Sequence, residues 1–208
     1  MHILIADDHA IVRKGLKQLL IEEYPSSIIE EVGDGENLIT RATNEAWDVV
    51  ICDLDMPGRN GLDAMRKIKE VSPKLPVLII SIYPEDQYAI RVLKAGASGY
   101  LCKDAATEEL AKAVRRVLLG RKYISASIAE KIFEDIGYNG EKAPHEFLSN
   151  REFEVFKLIA SGKSVSEIAK KRLLSSTTVS THRARILNKM NMKTNAELTR
   201  YALDNKLI

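Results

Sequence analysis

Five times in the first 120 residues a short apolar run gives way to a longer amphipathic stretch. The pairs are His2 to Ala6 then Ala10 to Ile21, Ile28 to Val32 then Asn37 to Thr43, Val49 to Cys52 then Gly61 to Val71, Val77 to Ser81 then Glu85 to Lys94, and Gly99 to Leu101 then Thr107 to Leu119. Apolar runs this short suit strands buried on both faces, while the stretches between them carry their apolar residues at helical spacing. Crossovers between parallel strands are right-handed, which puts helices over both faces of the sheet. The alternation therefore predicts an α/β fold, a doubly wound five-stranded parallel sheet.

The pattern changes after Gly120. Residues Ser125 to Ile136 read as one more helix, and Gly137-Tyr138-Asn139-Gly140-Glu141-Lys142-Ala143-Pro144 is polar and punctuated by Gly and Pro, as a linker is. From Ser149 onward there is no strand pattern. Three S/T-x-x-E capping boxes, at Ser149/Glu152, Ser164/Glu167 and Thr194/Glu197, mark helix starts, and Ser175 is an N-cap without a box. The expected organisation is a domain over 1–120, a linker with one helix over 121–146, and a small all-α domain over 147–208.

The formal net charge of +2 hides an asymmetry. Residues 1–140 hold 18 Lys+Arg against 22 Asp+Glu, and residues 141–208 hold 13 against 7. A basic helical domain behind an acidic one points to a polyanionic partner for the tail. Cys52 and Cys102 each lie in an apolar run, as reduced packed thiols do. No apolar stretch reaches the ~18 residues of a membrane span and the N-terminus does not read as a signal peptide; the expected location is cytoplasmic, with no membrane contact.

In an open parallel sheet, functional groups gather beyond the carboxyl ends of the strands, where strand order reverses. Asp7 and Asp8 end the first strand, Asp53 the third, Ser81 the fourth and Lys103 the fifth. Singly, each has a plain reading: helix capping for Asp7 and Asp8, a turn for Ser81, a solvated amine for Lys103. Together, three carboxylates on one rim need a cation, and an oxygen-only site with few protein ligands suits hydrated Mg2+. Asp53 is then placed as a nucleophile that forms an acyl phosphate, with Lys103 and the Ser81 hydroxyl on the phosphoryl oxygens.

"IADDH", "DVVICDLDMPG", "LIIS" and "GASGYLCKD", in that order, resemble the receiver domain of two-component response regulators. The resemblance implies a flavodoxin-like sheet of order 2-1-3-4-5 and phosphorylation of Asp53 by a sensor histidine kinase. It implies Mg2+ ligation by Asp8, the Asp53 carboxylate and the backbone carbonyl of Asp55, with Asp7 acting through water. Ser81 and Tyr100 become a switch pair and Lys103 the cation that senses the phosphoryl group. Asp53-Leu54-Asp55 also resembles the D-x-D of haloacid-dehalogenase phosphatases, but there the motif ends the first strand and is followed by Thr or Val, whereas here Met56-Pro57 follow the third.

In the tail, the joint between Ser166–Arg172 and Ser176–Met190 reads as helix-turn-helix. Val179, Ile186, Leu187 and Met190 form an inward stripe, leaving Ser180, Thr181, Ala184 and Asn188 outward with Arg183 and Arg185 beside them. The outward set is expected in the DNA major groove, and Thr178, His182 and Lys189 at its edges on phosphates. The basic residues read equally as a solvated face. "LSNRE", "ASGKSVSEIA", "STTVSTHRARILNKM" and "NAEL" resemble the LuxR/NarL-type helix-turn-helix, which implies dimerisation through the last helix, with Leu198, Tyr201 and Ala202 as candidate contacts. Arg172 departs from the family pattern, which has an apolar residue there; a buried unpaired charge would be costly.

Both resemblances combine as a NarL/FixJ-type response regulator: a phosphorylation-controlled, DNA-binding transcription regulator rather than an enzyme. The expected cofactor is Mg2+, and the expected partners are DNA with paired half-sites, a sensor histidine kinase, a second copy of the chain and, further, RNA polymerase. A DNA-binding or interaction protein that needs no phosphorylation is the alternative.

Overall fold

The computed structural model describes residues 1–126, 128–130 and 143–208. The chain divides into two compact units, Met1–Gly137 and Tyr138–Ile208.

Unit one is a five-stranded parallel sheet, β1 (His2–Ala6), β2 (Ile28–Val32), β3 (Val49–Asp53), β4 (Val77–Ser81) and β5 (Gly99–Cys102), in the order β2-β1-β3-β4-β5. The helices are α1 (Ala10–Glu23), α2 (Gly35–Asn44), α3 (Gly61–Val71), α4 (Glu85–Lys94) and α5 (Ala106–Leu118), with a 3-10 turn over Lys103–Ala105. Every residue of β3 and β4 is buried, which is why their runs read as continuously apolar rather than alternating. One face of the sheet, through Ile3, Ile5, Val49, Ile51, Leu78 and Ile80, packs on Leu16 and Leu20 of α1 and on Leu110, Val114 and Val117 of α5. The chain order reverses between β1 and β3, so a crevice opens beyond the ends of those two strands.

Of the glycines that allow close approaches, two bear on the rim and on the sheet edge. A Cβ on Gly61 would lie 1.8 Å from the Asp53 carbonyl oxygen, so the first residue of α3 rests directly on the backbone of Asp53. On Gly99 it would lie 2.8 Å from the Tyr123 Cβ and carbonyl oxygen. Tyr123 pairs in parallel with Gly99, its N–H donating to the Ser98 carbonyl at 2.9 Å and its carbonyl accepting the Tyr100 N–H at 3.2 Å. The Tyr123 hydroxyl reaches Glu109 and the Lys122 ammonium the Ala97 carbonyl. The Ser125 N–H donates to Glu85 Oε1 at 3.1 Å, and Ile128 is buried. Residues 122–125 thus form a strap along the free edge of β5. The rest of the helix expected over Ser125–Ile136, and most of the expected linker, lie outside the described residues.

Among its described residues, unit two has a 3-10 turn (Pro144–Phe147) and four helices, α6 (Asn150–Ala160), α7 (Val165–Arg172), α8 (Ser176–Lys189) and α9 (Asn195–Asp204). Ser149 and Ser164 make complete capping boxes with Glu152 and Glu167. Ser175 caps α8 by accepting the Thr178 N–H. Thr194 caps α9, but the Glu197 carboxylate turns back one residue further, accepting from the Lys193 N–H at 2.9 Å. Phe153, Phe156, Ile159, Ile168, Val179, Ile186, Met190, Leu198 and Ala202 fill the interior.

Arg172 finds a partner in this core. Its Nη2 lies 3.5 Å from Glu154 Oε2 on α6, and the two side chains are 13% and 3% exposed. The departure from the family pattern is thus matched by a carboxylate one helix away.

Candidate phosphoacceptor site and nucleic-acid interface

Asp7, Asp53 and Ser81 are buried at the carboxyl ends of β1, β3 and β4, and Lys103 reaches back over them from the turn after β5. Its Nζ lies 2.6 Å from Asp7 Oδ2 and 2.9 Å from Asp53 Oδ2. Carboxylate oxygens of Asp7, Asp8 and Asp53 and a ring nitrogen of His9 all lie within 4.8 Å of one another. This set, dominated by hard oxygen donors, fits a divalent ion such as Mg2+. Asp7 and Asp8 do not cap α1: the N-cap position is His9, whose N–H donates to Asp7 Oδ1 at 2.8 Å.

Burial pushes the Asp53 carboxyl up to about 6, against the opposing pull of Lys103. Burial also disfavours the Lys103 ammonium, but Asp7 and Asp53 outweigh it and hold its pKa above the usual value. At neutral pH the arrangement is an ionised Asp53 under a charged Lys103.

The Tyr100 ring is fully buried, with its hydroxyl donating to the Tyr83 carbonyl at 2.8 Å. Burial raises its pKa well above that of a free phenol. The Ser81 hydroxyl accepts the Tyr83 N–H at 3.2 Å. Tyr83 closes the circuit: its hydroxyl donates to Asp55 Oδ2 at 3.0 Å and its ring stacks on Tyr88 with centroids 4.7 Å apart. Sequence reasoning gave His9 no role although it closes the motif "IADDH" next to Asp8, and gave none to Tyr83, which belongs to no motif and which the fold brings to Asp55. The Asp55 carboxylate is held by the Tyr83 hydroxyl just beyond the end of the third strand.

In unit two, Thr178, Ser180, Thr181, Ala184, Arg185 and Asn188 are exposed on α8 as expected. Three other expected contacts have partners or positions within the bundle. Lys189 Nζ is 2.6 Å from Glu152 Oε2, and although burial disfavours the Glu152 charge, Lys189 and the cap hydrogen bonds hold its pKa below the usual carboxylate value. Arg183 is half-buried and its Nε donates to Asn195 Oδ1 at 2.7 Å. His182 is also half-buried, with Nδ1 lacking a hydrogen-bond partner among the described residues; burial lowers its pKa and so favours the neutral ring.

The expected dimer contacts need a correction. Leu198 and Ala202 are each 0% exposed inside the bundle, and Tyr201 is half-buried, its hydroxyl 2.8 Å from His145 Nδ1. The apolar stripe read as an interface is the side of α9 that packs on α6. Leu203, 58% exposed, is the large apolar residue of α9 that faces outward.

A parallel sheet of this order with an acidic crevice at its switch point, joined to a four-helix unit containing a helix-turn-helix, defines a two-domain regulator. Family models agree: the response regulator receiver domain matches residues 3–115 and the bacterial regulatory proteins of the luxR family match residues 146–202. The chain belongs to the response regulators with a LuxR-type DNA-binding domain. It is 38% identical to the oxygen regulatory protein NreC of Staphylococcus carnosus (strain TM300) over 100% of this chain and 99% of that protein. It is 33% identical to the response regulator UvrY of Escherichia coli (strain K12) over 98% and 94%. Among solved structures, RcsB of Salmonella enterica serovar Typhimurium, bound to promoter rprA in the presence of the phosphomimetic BeF3-, covers 97% of this chain and 98% of its own, at 29% identity and a TM-score of 0.61. A two-component response regulator RcsB–DNA complex covers 97% and 96% at 30% identity and a TM-score of 0.57. No helix among the described residues is long and apolar enough to cross a membrane.

Proposed function

We propose that this response regulator is switched by Mg2+-dependent transfer of a phosphoryl group from a sensor histidine kinase to Asp53. The observation that carries the reading is the Lys103 ammonium 2.6 Å from Asp7 and 2.9 Å from Asp53, a cation already placed where phosphoryl oxygens would arrive. Asp8, the Asp53 carboxylate and the Asp55 carbonyl would hold Mg2+, with Asp7 acting through water. When bound, the ion offsets the repulsion among the carboxylates and the charge on the transferring group. Asp53 attacks phosphorus through one oxygen, the bond to the donor breaks, and the Asp53 carboxyl carries the phosphoryl group as an acyl phosphate. Lys103 then exchanges a carboxylate for a phosphoryl oxygen, and the Ser81 hydroxyl hydrogen-bonds a second one.

The relay runs through the segment that Ser81, Tyr83 and Tyr100 hold together. Drawing Ser81 toward phosphorus pulls on the Tyr83 N–H, and the Tyr83 carbonyl is what anchors Tyr100. The Tyr100 N–H in turn holds Tyr123 of the strap, so movement there reaches the chain leading to the second unit. Its readout is a change in dimerisation or in release of the DNA-binding domain, whose exposed Thr178, Ser180, Thr181, Ala184 and Arg185 contact DNA. The working form is a cytoplasmic homodimer on paired half-sites, with Leu203 of α9 at the dimer contact and RNA polymerase as a further partner. The molecule acts as a regulator and not as an enzyme that turns over substrate.

Intact-mass measurement after incubation with acetyl phosphate and magnesium tests the site: the chain gains one phosphoryl group and the Asp53→Asn chain none. Beryllofluoride with magnesium tests the coupling, because unchanged oligomeric state and unchanged DNA affinity would together refute it.

A further inference from the structure

The part of α8 that faces away from the bundle is unusual for a surface that meets DNA. At about 100° per residue, Thr177, Thr181, Ala184 and Asn188 fall within roughly 40° of the direction opposite the buried Val179, and all four are exposed. None carries a charge. Lys189 is engaged by Glu152, Arg183 by Asn195, and Arg185 falls on the flank, about 60° from that direction. The commonest side-chain readers of guanine, a bidentate Arg or Lys on O6 and N7, are therefore missing from the centre of this face.

What the centre does present is methyl groups. The Thr181 hydroxyl is occupied, donating to the Thr177 carbonyl at 3.0 Å, which leaves its γ-methyl as the group offered outward. Ala184, one turn along and on the other side of the outward direction, offers only its β-methyl. In the major groove the apolar feature is the C5-methyl of thymine, the contact that Ala and the Thr methyl make. Asn188, a further turn along, carries the amide that pairs with adenine N6 and N7.

We infer that Thr181 and Ala184 read thymine C5-methyl groups, so that the half-site of this protein has an A·T core recognised by apolar contact rather than a G·C core recognised by arginine. The inference rests on the proposed DNA contacts of α8 and deepens them. Short side chains here also bring the helix backbone close to the groove floor, with Ser180 and Arg185 at the rims.

The test uses the full chain with beryllofluoride and magnesium, selecting duplexes from a random pool and then replacing thymine by deoxyuridine in the selected half-site, which removes the methyl alone. A·T-rich cores are expected, with about fourfold weaker binding for each contacted methyl removed. Thr181→Ser, which keeps the hydroxyl and the helix, should narrow the thymine-to-uracil ratio at one position and leave the others unaltered. A selected core of G·C pairs, or full affinity for the uracil duplex, overturns methyl readout while leaving DNA binding intact. Failure to enrich any sequence is a different result: it removes the DNA contacts proposed for α8, and this inference with them.

Discussion

A single buried carboxylate sets the pH behaviour of the receiver. The Asp53 pKa is raised from 3.8 to about 6 on folding, so ionising it costs the folded state. Its effect on stability is absent below about pH 4 and grows as the pH climbs through 6, on the order of 2–3 kcal/mol. Without divalent ions, Asp53→Asn should therefore melt higher than the parent at neutral pH, the gap closing toward about pH 4. Magnesium should narrow the gap by stabilising the parent, which binds it more tightly; scanning calorimetry across pH reads both effects. Arg172 and Glu154 pose the same problem in the other unit. Removing either partner takes the opposite charge away from a largely buried group, so Glu154→Leu and Arg172→Leu should each cost about 3 kcal/mol, whereas the two changes together should be near neutral. Thermal unfolding of the four chains of this double-mutant cycle checks the pair; additive losses would show that the two groups do not interact. The sequence displays Arg172 as an oddity but conceals its partner, since Glu154 lies on a different helix and belongs to no pattern that includes residue 172.

At the scale of elements, what was legible follows from how local each signal is. Strands β3 and β4 are announced by uninterrupted aliphatic runs, and the starts of α6 and α7 by capping boxes whose four residues contain the whole interaction. The side on which a helix packs is less local. Leu198, Tyr201 and Ala202 have the spacing of an apolar stripe, but a stripe packed inside a bundle and one packed between protomers have the same period; burial alone separates them. The turn between α7 and α8 shows another limit. Leu173 sits at φ 51° and 84% exposed, a left-handed conformation that glycine adopts without strain and that no apolar periodicity reveals. Leu173→Gly should stabilise unit two by about 1 kcal/mol, visible as an increase in its melting temperature, and an unchanged or lowered value would show that the leucine side chain contributes packing.

For the whole molecule, five carboxyl-end residues from four strands could be read as one site because parallel sheets bring strand ends to a common rim. The strap could not be, because a single residue pairing with a strand edge has no period. Tyr100, expected as half of a switch pair with Ser81, has its ring fully buried. With the Tyr83 carbonyl as acceptor the ring is already inside, so in the proposed relay phosphorylation would act on an arrangement that already exists, and swinging such an equilibrium from 1:99 to 99:1 needs roughly 5.5 kcal/mol of differential stabilisation. Gly99→Val, which fills the space used by Tyr123, should leave Asp53 able to gain a phosphoryl group but cut the response of DNA affinity to beryllofluoride at least severalfold. Fluorescence anisotropy with labelled operator measures it, and a full response would exclude the strap from the relay.

The pairing of Tyr123 with Gly99 also bears on where this receiver can be cut. A fragment ending at Gly120 bares the outer amides and carbonyls of the last strand, the kind of template on which chains stack into aggregates. One that runs on to Glu130 carries its own cover.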